Sequence, residues 1–340
     1  MATIGIIGAG AVGSFYGALL ARAGHDVRFL FRSDLDTVRE RGLDIRSKSR
    51  DFRLERVAAF GSAADIGTCD WVICALKATA MDDAHDLVAP CLGPDTRIVA
   101  LMNGLGIEER FAEWFGATRV FGGMAFVCLN RVAPGVVRHI DYGRVTVGHA
   151  LDDPAAVESL SELLAGAGIE VVAAPSLRYA RWEKLCWNVP FNGLSVAAGG
   201  VGTATILGDE PLRATAEQAM REVVAAGNAD LEAHGCDARF DAGDVIDRMF
   251  AQTATMGDYR TSMVIDYVLG RALEVEAILG EPVRRAAGLG VRTPVMQALY
   301  ALVRAADGRR RGLLRPLSSA DVLEVETPSP GPFAPGGGPA

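Results

Sequence analysis

The segment ATIGIIGAGAVGSFYGALLARAG, residues 2–24, decides the fold. Its first half holds a short apolar run, Ile4 to Ile7, of the kind found in strands buried on both faces of a parallel sheet. Its second half, Ala11 to Ala23, carries helical periodicity, and Gly24 is a favourable stop. Between them stands Gly8-Ala9-Gly10-Ala11-Val12-Gly13, a G-x-G-x-x-G pattern. Alone the pattern is weak, but a strand before it and a helix after it are the context it requires. Gly8 permits the tight turn, Gly10 lets the backbone approach a pyrophosphate, and Gly13 lets the helix pack close to the strand. The free N–H groups and positive dipole end of the helix then favour an anion. Gly8, Gly10, Ala11, Val12 and Gly13 are therefore candidate dinucleotide-binding residues. An ordinary glycine-rich turn is the alternative, and position and context favour the dinucleotide.

Outward from this unit, residues 26–32, 70–77 and 97–104 read as further strands, each followed by helix-like sequence. Strands alternating with helices imply a parallel sheet. Residues 119–149 are β-rich, with turn signals at Ala133-Pro134-Gly135 and Asp141-Tyr142-Gly143, which predicts a meander completing the sheet. A helix over 153–168 and a strand over 169–174 follow, and from 178 to 306 the pattern is almost wholly helical. The expected fold is α/β: an N-terminal Rossmann-type dinucleotide-binding domain over 1–174, then an all-helical C-terminal domain over 175–315. Residues 316–340 end in TPSPGPFAPGGGPA, too rich in Pro and Gly for a packed element, and are expected to be disordered.

Bulk properties narrow the function. With 34 basic against 42 acidic residues the net charge is −8, and the one short basic run, Arg309-Arg310-Arg311, reads as a solvated helix end. Nucleic acid and anionic membrane are thus poor partners. None of the six cysteines forms a CxxC pair, so they are read as reduced, buried thiols in a cytoplasmic protein. No apolar run reaches membrane-spanning length, and the N-terminus opens directly on a strand without a signal-peptide pattern. Asp82, Asp83, His85 and Asp86 are dense, but they occupy a helix-like polar stretch and read as a solvated face, so no metal is expected. Apolar helices in the second half fit a core or a homodimer surface equally well.

Several polar residues stand where a ligand would lie. NAD-binding proteins carry Asp or Glu near the end of the second strand, whereas this strand ends Phe31-Arg32-Ser33. An arginine there suits the 2′-phosphate of NADP. Asp34 is close by and keeps NAD open. Lys77 and Asn103 follow strands at the carboxyl edge of the sheet, where ligands bind, although a solvated lysine and a plain Asn-Gly turn explain them equally. In RYARWEKLCWNVPFNGLSVAAGG, residues 178–200, Lys184, Asn188 and Asn192 recur every four positions. Steps of four advance about 40° past a turn, so they form one slanting stripe, and Pro190 is expected to loosen or bend the helix. A lysine amid such apolar bulk loses basicity and becomes a better proton donor near neutral pH. Spacing alone leaves this reading level with a snorkelling lysine and two capping asparagines. Residues 259–280 read as another helix, and there Ser262 and Glu274 fall about 120° apart, so helical phase does not unite them.

Taken together, the GAGAVG loop, the LMNG turn, the RWEKLCWNVPFN helix and the TSMVID…GRALEVEAILG segment resemble the 2-dehydropantoate 2-reductase (ketopantoate reductase) family over about residues 2–305. The resemblance implies a Rossmann domain joined to a helical domain, and NADPH-dependent reduction of ketopantoate to pantoate on the way to pantothenate and coenzyme A. By position it makes Lys184 the general acid, and Glu274 the carboxylate that binds the substrate's hydroxyl end and supports catalysis. It makes Asn188, Asn192 and Ser262 substrate contacts, with Asn103 between nicotinamide and substrate. Arg32 and Lys77 fall at the adenosine phosphate end. Departures occur where the family often has N-x-S-S-M, G-x-T and T-E-I-D: here Tyr259-Arg260-Thr261-Ser262-Met263, Gly122-Gly123-Met124 and Leu273-Glu274-Val275-Glu276. They bear on which 2-oxo acid is the small-molecule substrate more than on the reaction. A reductase of a different 2-oxo acid, or a non-catalytic NADP-binding protein, are the rival expectations.

Overall fold

The computed structural model describes residues 1–315; the tail at 316–340 lies outside the described residues. The strands are β1 (Thr3–Ile7), β2 (Asp26–Leu30), β3 (Leu43–Ser47), β4 (Phe52–Leu54), β5 (Ala58–Phe60), β6 (Trp71–Cys74), β7 (Arg97–Ala100), β8 (Val120–Ala133), β9 (Val136–His149) and β10 (Val171–Ala173). They make one mixed sheet. Six run parallel in the order β5-β2-β1-β6-β7-β8, the doubly wound arrangement in which strand order reverses beside β1. Beyond them β8 turns back antiparallel into β9, which is flanked by β3 and β10.

Two apolar layers hold the sheet. Ile4 and Ile6 of β1 pack with Phe15, Tyr16 and Leu20 of α1 (Ala11–Arg22), near α2 (Leu35–Arg41), while Ile7 faces the opposite layer. That layer includes Val88 of α3 (Met81–Val88) and Phe111 of α4 (Ile107–Phe115). A fifth helix, α5 (Pro154–Gly166), adds Leu160 and Leu164 to the α1 side. Burial on both faces explains why these strands read as unbroken apolar runs rather than alternating ones.

The helical half comprises α6 (Leu177–Ala197), α7 (Thr203–Gly208), α8 (Glu210–Ala233), α9 (Ala242–Ala254), α10 (Ser262–Val268), α11 (Glu281–Gly288) and α12 (Pro294–Arg310). At its centre is α6, whose Trp182, Leu185, Cys186, Val189 and Phe191 are at most 1% exposed. The helix runs through Pro190 without interruption, where a loosened one was expected. An interior proline costs about 3 kcal/mol, and each large apolar side chain that α6 buries returns about 1.5–3 kcal/mol.

Two other expectations are corrected. Asp141-Tyr142-Gly143 is no turn: it lies within β9, where a register shift opposite Phe126 and Val127 absorbs the extra residue as a bulge. Tyr142 at φ 61° and Gly143 at φ 141° carry the distortion. Residues 259–280 are not one helix either. The chain leaves α10 at Val268, reverses through Gly270 at φ 69°, and runs irregularly to a π-helical stretch over Glu276–Gly280. Of the six cysteines, all free, five are buried and Cys236 is partly exposed. Among the described residues no helix is long and apolar enough to cross a membrane.

Candidate active site

The glycine loop lies at the carboxyl end of β1, beside the end of β6. Gly8 has φ 91°, and a Cβ there would stand 2.8 Å from the Leu76 backbone nitrogen. A Cβ on Gly13 would stand 2.4 Å from the Gly8 carbonyl oxygen, so α1 and β1 pack against each other there. Gly10 differs: nothing in the protein lies within 4 Å of the position its Cβ would take. Gly10 caps α1 without any side-chain bond to the helix N–H groups, leaving Ala11 and Val12 in a first turn open to an anion. A cradle closed on two sides and open on the third fits a dinucleotide.

At the end of β2, Arg32 is exposed. Asp34 is only 4% exposed, and both of its oxygens are occupied. Oδ1 accepts from Ser33 Oγ at 2.8 Å and from Arg131 Nη1 at 3.0 Å, and Oδ2 accepts from the Gly135 N–H at 3.1 Å.

From the helical half, Lys184 donates from Nζ to the Ala125 carbonyl oxygen of β8 at 2.8 Å. Burial lowers its amine to about 7; the Arg181 charge pulls the same way, and Glu274 opposes them. Glu274 is 7% exposed and accepts from the Ala78 N–H at 2.9 Å. Burial raises its carboxyl, against the Ala78 N–H, the Lys77 charge and a side-chain hydrogen bond from Asn103. The break at Gly270 is what lets Glu274 reach Ala78, so the phase mismatch with Ser262 within a single helix does not arise. The structure thus brings Lys184, Glu274, Asn103 and Lys77 to one cleft.

Lys77 itself pairs with the buried Asp266 of α10 across the cleft, and Arg271 lies 3.6 Å from the same carboxylate. The two asparagines differ in company. Asn192, 1% exposed, accepts the Met263 N–H at 3.1 Å through Oδ1, and its Nδ2 has no partner among the described residues. Asn188 is 6% exposed, with no hydrogen bond to protein among the described residues. Ser262 is exposed at the start of α10, which Thr261 caps by accepting the Val264 N–H at 3.2 Å.

Sequence reading missed Arg181 and Glu108. Both are buried: Arg181 pairs with Glu108 and donates to the carbonyls of Met102 at 2.5 Å and Ala100 at 3.1 Å. It thereby fixes the turn that presents Asn103. A charged residue one helical turn before Lys184 was the available signal. A cavity of about 1170 Å³ borders Glu274 near Thr79, Arg110 and Arg304 and is not lined by Lys184. The titratable cluster, rather than the cavity, makes the cleft the candidate site.

Residues 4–152 match the family model "Ketopantoate reductase PanE/ApbA", and residues 176–307 match "Ketopantoate reductase PanE/ApbA C terminal". The chain belongs to the ketopantoate reductase family. As a member it is an oxidoreductase. It is 38% identical to a 2-dehydropantoate 2-reductase of Nostoc sp., over 90% of this chain and 95% of that one. A 2-dehydropantoate 2-reductase of Mesorhizobium japonicum is 30% identical over 88% of this chain and 96% of its own. The crystal structure of a 2-dehydropantoate 2-reductase from Geobacter metallireducens superposes with a TM-score of 0.86 at 39% identity, covering 89% of this chain and 99% of that one.

Proposed function

We propose that the chain reduces 2-dehydropantoate to pantoate with NADPH, in a cytoplasmic route to pantothenate and coenzyme A. The division of labour is a cofactor domain over 1–174 and a substrate domain over 175–315. The single observation that carries this reading is Lys184: an amine lowered to about 7, aimed by the Ala125 carbonyl and set beside Glu274. Gly8, Gly10, Ala11, Val12 and Gly13 hold the pyrophosphate and Arg32 the adenosine phosphate end, while Lys77, expected there too, pairs instead with Asp266 beside Glu274 and so falls with Asn103 on the nicotinamide side. When bound, the reduced dinucleotide supplies the hydride that the keto carbon accepts.

The chain's own residues do the rest. Lys184 gives its proton to the carbonyl oxygen as charge develops there, and its positive charge stabilises that oxygen beforehand. Glu274 holds the substrate's distal hydroxyl, itself steadied by Ala78 and Asn103. Asn188, Asn192 and Ser262 orient the carboxylate end without adding negative charge. A panel of 2-oxo acids run with NADPH and with NADH, followed by loss of reduced-cofactor absorbance, tests the reading. Preference for another keto acid rejects ketopantoate, and tight NADPH binding with no turnover of any acid supports a non-catalytic role.

A different 2-oxo acid is the second reading, and Tyr259 favours it. Tyr259 stands where the family often has asparagine. It shares a hydrogen bond with Cys128 of β8, and its ring lies 6.1 Å from that of Trp187, one turn beyond Lys184. An aromatic wall at that place suits a bulkier or less polar acid.

A further inference from the structure

The end of β2 carries conflicting signals. An exposed arginine favours a phosphorylated ribose, while an acid two residues later is what NAD-type sites use to hold the 2′-hydroxyl. The geometry resolves the conflict. Both carboxylate oxygens of Asp34 are taken up by protein: the Gly135 N–H of the β8–β9 turn on one, Arg131 of β8 and the adjacent Ser33 on the other. Arg131 also donates from Nη1 to Ser33 Oγ at 3.0 Å, so it bridges both residues that follow Arg32. Its side chain is 38% exposed, whereas that of Asp34 is 5% exposed. One face of the guanidinium therefore neutralises the carboxylate while the other stays open to solvent beside Ser33.

We infer that Arg131 is a specificity-determining residue for the cofactor: it withdraws Asp34 from the ribose and adds a second positive charge, with Arg32, for the 2′-phosphate. This rests on the NADPH reading and names the device that enforces it. Two effects act in the same direction. A free carboxylate at the strand end would repel a phosphate and accept from a 2′-hydroxyl, and pairing with Arg131 abolishes both. A guanidinium presents several N–H donors in a plane, so one used on Asp34 leaves others for phosphate oxygens.

Calorimetric titration of the full chain with adenosine 2′,5′-bisphosphate and with AMP isolates the phosphate from the hydride chemistry. Wild type is expected to prefer the bisphosphate. Arg131→Met should weaken the bisphosphate about tenfold or more, as loss of a charge-assisted contact does, while AMP and NADH bind as well as before or better. Arg131→Lys should restore part of the loss. Because Arg131→Met leaves Asp34 buried without its partner, the double variant Arg131→Met with Asp34→Asn guards against misfolding, and its bisphosphate affinity should fall between those of wild type and the single variant. Equal weakening of AMP and bisphosphate, or no change in either, overturns the role of Arg131. If Arg131→Met keeps the preference and Arg32→Ala removes it, the NADPH reading stands and the Arg131 inference falls; if wild type shows no preference, both fall.

Discussion

Arg181 grips Glu108 across the boundary between the sheet and the helical half, donating from Nε to both carboxylate oxygens at 2.9 and 3.1 Å. Arg181 sits one helical turn before Lys184, and it also holds the carbonyls of Ala100 and Met102, which lead into the Asn103 turn. One side chain thus sets the distance between the proposed proton donor and the loop opposite.

Removing Arg181 strands a buried carboxylate. Arg181→Met is expected to cost about 3–5 kcal/mol in urea unfolding, the range for a broken buried ion pair. In the fraction that folds, loss of a positive charge near Lys184 should move the alkaline limb of kcat/KM to higher pH, because Arg181 is one of the causes that lower the lysine. A variant that loses stability without moving that limb assigns Arg181 to the fold alone.

Lys184 gives a matched pair of readouts. In the proposed role it acts as its protonated form, so kcat/KM should be level below about 7 and fall above it, and Lys184→Ala should lower kcat about 10²-fold or more. Stability runs the other way. Between a folded value of about 7 and an ordinary value of 10.5, the native chain has released a proton that the unfolded chain still holds. Stability therefore rises with pH across that window, and the penalty for a charged, buried amine is complete below it. Lys184→Met should raise the melting temperature at about pH 6 and leave it unchanged at about pH 10–11. A uniform shift at all pH values would show that packing, not charge, was altered.

The glycine loop separates fold from binding within three residues. Gly13→Ala puts a Cβ 2.4 Å from the Gly8 carbonyl and should destabilise by about 1–3 kcal/mol. Gly10→Ala meets nothing within 4 Å, so its stability should change by less than about 0.5 kcal/mol. Its affinity for NADPH should nevertheless drop about tenfold or more, since the backbone can no longer approach a pyrophosphate. Thermal melts and fluorescence titration with NADPH distinguish the two, and a Gly10 variant that binds normally removes the cradle from the site.

The asparagine stripe should divide similarly. Asn192 carries a buried bond to the Met263 N–H, so Asn192→Ala ought to lose about 1–3 kcal/mol of stability as well as activity. Asn188 has no such bond among the described residues, and Asn188→Ala is expected to raise KM for the keto acid while the melt is unchanged. If both variants melt early, the stripe is core packing and the substrate contacts lie elsewhere.

What could be read in advance followed from how local each signal is. Gly8, Gly10 and Gly13 announce themselves because the strand, turn and helix they serve are contiguous. Lys184, Asn188 and Asn192 share a helix, so spacing alone placed them together. The strands β3 to β5 went unread: Leu43–Ser47, Phe52–Leu54 and Ala58–Phe60 are three to five residues long, and two of them carry charges between their apolar positions. The course of Glu274 was hidden because one glycine, Gly270, ends a pattern whose periodicity continues past it. Arg181 and Arg131 draw their meaning from partners 73 and 97 residues away, a separation that no local pattern encodes.

The unpaired thiols make the native chain ready for optical work. Burial pushes Cys74 and Cys91 up to about 12 and raises Cys69, Cys128 and Cys186 as well, which leaves little thiolate on any of them at neutral pH. Cys236, partly exposed between α8 and α9, is the one thiol within reach of a maleimide dye. Labelling should stop at one dye per chain by mass spectrometry. The helical half would then carry a single reporter for titrations with nicotinamide cofactor, with no cysteine replaced.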